Sequence, residues 1–306
     1  MEDKRRIIID TDPGIDDAVA LAIALFDDTV EVKLISTVAG NVSIEKVTKN
    51  TLQLLTYFEK KIPVAAGSAR PLIADPIDAS GVHGETGMGK FNFPAADDSV
   101  LLDNHAVIKM AKVLNAAEKT TIVAIGPLTN IALLLRLYPE LSSRIEEVIL
   151  MGGAIGRGNS GVYSEFNINA DPEAARIVFQ SGLKITVIPL EIGMKALIYP
   201  EDSEKIRGMN KTGELFYQLF SQYRGGSFKT GLKMYDSGAV AFLLEPSLFT
   251  TEQYYIGIEL SGEMTRGATL VDIRGYLHKE ANVTIATDID VDRFKDWFLN
   301  SIEKCI

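Results

Sequence analysis

The sequence predicts an α/β fold, an open, mostly parallel, mixed sheet of the Rossmann-like kind with helices on both faces. Short runs rich in β-branched residues alternate with longer stretches of helical periodicity, the rhythm of repeated strand–helix–strand units. Such alternation calls for a parallel sheet with both faces covered. No Pro/Ser-rich linker, repeat or low-complexity tract divides the 306 residues, so one domain spanning 1–306 is expected.

In chain order, a strand at 7–10 leads into a helix at 18–26, and a strand at 32–38 into a helix at 44–58. The pattern repeats with 121–125 before 128–138, 147–151 before 171–180, and 184–189 before 200–209. The last third changes character, with helices at 213–223 and 236–244, strands at 254–260, 269–273 and 282–286, and a closing helix at 291–302. Residues 70–98 are rich in Gly, Pro and Asp and read as a loop. Loops of that length in a folded chain often carry function.

Apolar residues make up 46% of the chain and charged residues 24%, a composition that excludes general disorder and a collagen-like chain. The 31 basic and 41 acidic residues leave a formal charge of −10, which disfavours nucleic acid as a partner. The lone cysteine, Cys305, permits no internal disulfide and no cysteine-based zinc cluster, and fits a reducing cytoplasm. The run Met1-Glu2-Asp3-Lys4-Arg5-Arg6 enters a short apolar strand directly, without the long apolar region of a signal peptide. No 18-residue apolar run suggests a membrane span.

Asp10, Asp12, Asp16 and Asp17 fall within eight residues, at the end of the first strand and the start of the first helix. Carboxylates in a helix's first turn are favoured by its dipole, so a solvated acidic cap is the plain alternative. The buried end of a strand is nevertheless a poor place for four repelling charges unless a cation or a proton neutralises them. Oxygen-only donors imply Ca²⁺ or Mg²⁺; three histidines without metal-type spacing argue against softer metals. Asp16 and Asp17 project about 100° apart on a helix, so one is expected on the metal and the other on a substrate.

The stretch Ile7-Ile8-Ile9-Asp10-Thr11-Asp12-Pro13-Gly14-Ile15-Asp16-Asp17-Ala18-Val19-Ala20 resembles the N-terminal signature of the inosine-uridine-preferring nucleoside hydrolase family. The resemblance continues in the same order through Ala39-Gly40-Asn41, Gly81-Val82-His83-Gly84, Gly126-Pro127-Leu128-Thr129-Asn130, Met151-Gly152-Gly153-Ala154, Glu165-Phe166-Asn167 and Tyr235-Asp236. It implies the nucleoside hydrolase fold and hydrolysis of the N-glycosidic bond of ribonucleosides to ribose and free base, within nucleoside catabolism and purine and pyrimidine salvage. It implies one Ca²⁺ held by Asp12, Asp17, the main-chain carbonyl of Ile125 and the distant Asp236, with Asp12 taking the proton of the attacking water. It also implies that Asp16, Asn159, Glu165 and Asn167 bind ribose hydroxyls and that Phe166 forms an apolar wall. The resemblance further implies that Asn41 stands beside the ribose and the attacking water, that His83 faces the nucleoside, and that the chain assembles as a homodimer or homotetramer. Many members carry histidine before the aspartate that matches Asp236; here Tyr235 takes that place, so leaving-group protonation becomes the open question.

Each of these residues also has a plainer role. Asn41 suits a turn, Asp236 suits the N-cap of a helix over 237–244, Tyr235 suits packing, and a lone histidine such as His83 is more often structural. His105 reads as the surface start of a helix and His278 as a loop residue. Gly156-Arg157-Gly158-Asn159-Ser160-Gly161 satisfies the dinucleotide fingerprint, but the β-prone Val162-Tyr163 follows where a helix should open. Two other functions compete: a haloacid-dehalogenase-like phosphohydrolase, because Asp10-Thr11-Asp12 imitates its nucleophile motif, and a catalytically silent, calcium-dependent ribose-binding protein.

Overall fold

Eight strands form one sheet in the computed structural model, which describes residues 4–116, 119–227 and 229–306; Met1 to Asp3 of the N-terminal run lie outside them. In chain order the first half comprises β1 (Arg5–Thr11), α1 (Ile15–Phe26), β2 (Val30–Thr37), α2 (Ile44–Tyr57), β3 (Val64–Ala66), α3 (Ser80–His83), α4 (Ala106–Asn115), β4 (Thr120–Ala124), α5 (Thr129–Leu137) and β5 (Ile145–Met151). The middle comprises α6 (Phe166–Ala170), α7 (Pro172–Phe179), β6 (Ile185–Ile188), α8 (Leu190–Lys195), β7 (Leu197–Ile198), α9 (Pro200–Arg207) and α10 (Lys211–Phe220). After it come β8 (Gly226–Ser227), β9 (Gly231–Lys233), α11 (Tyr235–Leu244), β10 (Phe249–Tyr254), β11 (Ile256–Ile258), β12 (Thr269–Val271), β13 (Val283–Ile289) and α12 (Val291–Glu303).

The sheet runs β10-β13-β6-β5-β4-β1-β2-β3. All neighbours are parallel except β10, which pairs antiparallel with β13 at the edge. The mixed, mostly parallel sheet expected from sequence is therefore the one observed. β1 explains why: Ile7 and Ile9 join a core cluster with α1, α2, α10, α11 and α12, while Ile8 joins the opposite cluster with α4, α5 and α7. Alternate side chains of a strand leave by opposite faces, so a strand covered twice must be apolar throughout. Burying each isoleucine contributes about 1.5–3 kcal/mol.

Several elements depart from expectation. β3, α6, α8 and the short strands β7, β8 and β9 were not anticipated, α3 interrupts the expected loop, α4 was signalled only by its start at His105, and the strand expected at 254–260 divides: Tyr254 ends β10, while β11 pairs with β12 in a separate two-stranded unit. The break falls where the Asn282 side chain takes over both main-chain groups of Ile256, accepting from its N–H and donating to its carbonyl at 2.8 and 3.0 Å. β10 carries Thr250, Thr251, Glu252 and Gln253, all exposed, as suits an edge strand with little apolar signal to find.

From β1 the chain steps outward through β2 to β3, then returns across β1 to place β4 on its other side. The order of strands thus reverses between β1 and β4. Crevices at such reversals, outside the carboxyl ends of the strands, are where open α/β sheets gather ligands. Asp12 follows β1 and Ile125 follows β4. Among the described residues no helix is long and apolar enough to cross a membrane.

Candidate active site

Asp12 enters the site because β1 ends one residue before it and Pro13-Gly14 turns the chain into α1. Its carboxylate is fully buried. One oxygen accepts the Asn41 main-chain N–H at 2.7 Å; the other, Oδ1, is buried with no hydrogen-bond partner. Two glycines permit this depth. A Cβ on Gly126 would stand 2.7 Å from that oxygen, and one on Gly40 closer still to its neighbour.

Asp17 is held from three directions, by Thr11 Oγ1 at 2.8 Å, the Gly14 N–H at 2.9 Å and Asn41 Nδ2 at 3.1 Å. A carboxylate oxygen from each of Asp16, Asp17 and Asp236 lies within 4.8 Å of the others. Burial pushes Asp16 up to about 7, with the Asp17 charge adding to it. Asp12 and Asp236 are pushed up further, by burial first and then by the surrounding carboxylates. Buried like charges and an orphaned oxygen among them are the chemistry of a hard-cation site. The expected division between Asp16 and Asp17 is not drawn by distance. They are the second and third residues of α1, and a site at the end of the helix axis is reached by both.

Asp10 leaves the cluster. Its carboxylate accepts from Ser36 Oγ at 2.5 Å and Asn130 Nδ2 at 2.9 Å, and burial raises it to about 7. Asn130 also donates to the Thr37 carbonyl and accepts the Ser68 N–H, both at 2.9 Å. Asp10 and Asn130 therefore tie together the ends of β1 and β2 and the start of α5, beside the turn that follows Ile125.

The opposite wall comes from the segment after β5. Glu165 is the N-cap of α6: its carboxylate accepts the N–H groups of Asn167, Ile168 and Gly153 at 3.0, 3.2 and 3.0 Å. Burial outweighs those bonds and raises it to about 7. Asn167 Nδ2 reaches the carbonyls of Met151 and Ile125 at 3.1 and 3.3 Å. Asn159, exposed at the rim, accepts the Phe166 N–H at 2.9 Å. The glycine-rich segment opens no helix, in keeping with the rejected dinucleotide reading.

His83 is buried, and burial lowers it to about 4. Its Nδ1 accepts the Ile15 N–H at 3.1 Å, so the proton of the neutral ring is on Nε2. The 3.8 Å approach of Nδ1 to Asp16 is thus no ion pair. Tyr235 is half-buried and raised by burial, then by the charges of Asp16 and Glu165. Asp236 is the second residue of α11, behind a Met234 N-cap, so the capping role considered for it is not the one observed. His105 does begin α4, accepting the Val107 N–H.

Asp16, Asn41, His83, Ile125, Asn159, Glu165, Phe166, Asn167, Tyr235 and Asp236 line one cleft of about 240 Å³; Asp12 and Asp17, fully buried, are not among its lining residues. The cleft lies just below the usual range of ligand pockets, about 300–1,000 Å³. Sequence reasoning missed Met151, Tyr223, Arg224 and Lys233 on its wall. The Tyr223 hydroxyl donates to the Lys233 carbonyl at 3.1 Å beside Asp16, and its ring lies 5.5 Å from that of His83. Tyr223, Arg224 and Lys233 belong to no motif of the sequence, and Met151 stands in a matching segment without a role assigned to it.

The family model for inosine-uridine preferring nucleoside hydrolase matches residues 7–296. The non-specific ribonucleoside hydrolase RihC of Salmonella typhi is 47% identical over 291 residues, 95% of each chain. The structure of the purine-preferring ribonucleoside hydrolase from Gardnerella vaginalis is similar with a TM-score of 0.91 at 28% identity, covering 98% of this chain and 99% of that one. An inosine-guanosine nucleoside hydrolase gives a TM-score of 0.91 at 29% identity over 99% of both chains.

Proposed function

Because the chain belongs to the inosine-uridine-preferring nucleoside hydrolase family, whose members hydrolyse ribonucleosides to ribose and free base, we propose that it does so with Ca²⁺ held by Asp12, Asp17, Asp236 and the Ile125 carbonyl. The observation that carries this reading is the unpartnered Asp12 Oδ1, buried among carboxylates that burial and mutual repulsion push upward. The family match over nearly the whole chain displaces the phosphohydrolase alternative. Calcium supplies positive charge and Lewis acidity there, offsetting the carboxylates and favouring ionisation of a nearby water.

Asp12 takes the proton of the water that attacks the anomeric carbon, while Asn41 orients the Asp12 carboxylate. Asp16, Asn159, Glu165 and Asn167 hold the ribose hydroxyls, and Phe166 covers the sugar's apolar face. As the C–N bond breaks, its electron pair leaves with the base and positive charge spreads over the sugar ring. Tyr235 donates a hydrogen bond to the departing base, with His83 the neighbouring donor through Nε2–H. Residues 1–306 act as one domain, in the cytoplasm, as a homodimer or homotetramer. Leu270, Ile273, Tyr276 and Leu277, exposed at 49, 56, 71 and 53%, support association.

The direct test is release of reducing sugar from a panel of purine and pyrimidine ribonucleosides and their 2′-deoxy analogues, with a chelator control. The 2′-deoxy analogues should lose about fivefold to somewhat over a hundredfold in kcat/KM, since one unpaired buried polar group costs about 1–3 kcal/mol. Comparable efficiency for inosine and 2′-deoxyinosine would remove ribose recognition from these residues. Nucleoside binding without sugar release would favour the silent binding protein.

Glu165 sets an acid limb. Its carboxyl, raised to about 7 by burial, must be ionised to accept from a ribose hydroxyl, so protonation increases and kcat/KM decreases as pH falls below about 7. A pH–rate profile of the cation-loaded enzyme, in which the proposed ion would hold the aspartates ionised, should show this limb in the wild type and move it to lower pH in Glu165→Gln. An unchanged limb in that variant would assign the titration elsewhere.

A further inference from the structure

Helix α8 borders the cleft without lining it, yet two of its residues bear on groups that do. Glu191 accepts the main-chain N–H groups of Ile155 at 3.0 Å and Gly156 at 2.8 Å, at the root of the segment that carries Asn159. Gly193, two residues on and buried, faces the ring of Tyr235.

Backbone geometry does not demand glycine at 193. The residue lies inside α8 and is not among the glycines with positive φ, and at such a helical position alanine is the more stable choice. Space demands it instead. A Cβ on Gly193 would stand 2.8 Å from Cε1 of Tyr235, 3.0 Å from Cγ and closer still to Cδ1. Two of these atoms sit at the base of the ring, beside the main chain of α11, so they cannot yield as the tip of a flexible side chain does. Relief requires rotation about χ1, which moves the whole phenol. In its present seat the phenol feels the charges of both Asp16 and Glu165, one from each wall of the cleft.

We propose that Gly193 is a positioning residue for the leaving-group end of the reaction: its missing side chain is the recess that seats the Tyr235 ring, making positions 193 and 235 a size-matched pair. This rests on the reading that Tyr235 faces the departing base. A bulky aromatic at 235 requires glycine at 193, and a side chain at 193 displaces the phenol without touching substrate.

The experiment is a double-mutant cycle of Gly193→Ala with Tyr235→Ala, and a second with Tyr235→Phe. Each protein is assayed on inosine and p-nitrophenyl riboside, whose leaving group needs little protonation, and its thermal midpoint is measured. Gly193→Ala alone should lower kcat for inosine roughly tenfold, the effect of moderate overpacking near a reacting group, with little change in KM or in p-nitrophenyl riboside turnover. It should lower the thermal midpoint in the wild-type and Y235F backgrounds, where the ring remains. In the Y235A background it should raise the midpoint and cause no further loss of activity. An equal fold-loss from G193A in the wild-type and Y235A backgrounds, or none in wild type, would overturn the seat. A Y235F protein with an unchanged ratio of inosine to p-nitrophenyl riboside activity would instead overturn the leaving-group reading of Tyr235.

Discussion

Replacing Asp12 by asparagine is expected to lower kcat by about 10³- to 10⁴-fold while leaving the fold and KM nearly intact. Removal of a positioned general base alone typically costs about 10²- to 10⁴-fold, and this carboxylate also contributes to the proposed cation site. The amide is close to isosteric, and its oxygen can still accept the Asn41 N–H that the carboxylate accepts at 2.7 Å. One of several crowded negative charges is removed, so the folded state gains no new strain. The ribose contacts proposed for Asp16, Asn159, Glu165 and Asn167 are left alone, so the loss should fall on kcat rather than KM. Steady-state kinetics on inosine, with a melting curve as control, make the check. A kcat within tenfold of wild type would exclude Asp12 as the base.

Stripping the proposed divalent cation should have the next largest effect, on activity and stability together. Without it, Asp12, Asp16, Asp17 and Asp236 remain buried side by side, with Asp12 and Asp236 forced well above the usual carboxylate range. A ligand that binds only the folded state stabilises it by about 4 kcal/mol at a thousandfold excess over Kd. Chelated protein, verified metal-free by elemental analysis, should melt at a lower temperature and release less than about one hundredth of the ribose. Calcium should restore both. Full turnover in verified metal-free protein would end the metal-dependent mechanism.

What the sequence made legible is what local pattern encodes. Ile7 to Ile9 announce a strand covered on both faces, and the positions of Asp12 and Ile125 beyond strand ends point to the crevice from sequence alone. What was not legible shares a physical cause. Asp10 belongs by spacing to the acidic cluster, but Ser36 and Asn130, 26 and 120 residues away, draw it into a structural tie. Glu165 reads as a substrate residue, yet it also caps α6, a role visible only once the segment's path is known. Gly193 gives no local signal, because the ring that requires it is supplied by α11. Tertiary neighbours, not propensity, decide each of these positions.

The reversal of strand order between β1 and β4 also governs when the site can exist. Asp12 and Asp17 come from the first turn of chain, the Ile125 carbonyl from the return crossing, and Asp236 from α11, 236 − 12 = 224 positions after the first proposed ligand. Contacts so distant in sequence form late, after the intervening loops have been closed. A nascent chain halted before α11 would therefore hold a repelling acidic patch with no closing partner, and only the finished fold would bind the ion tightly. Under the proposed ligand set, tight cation binding would report completion of the whole fold: a chain without its C-terminal third would lack Asp236 and the helix that carries it.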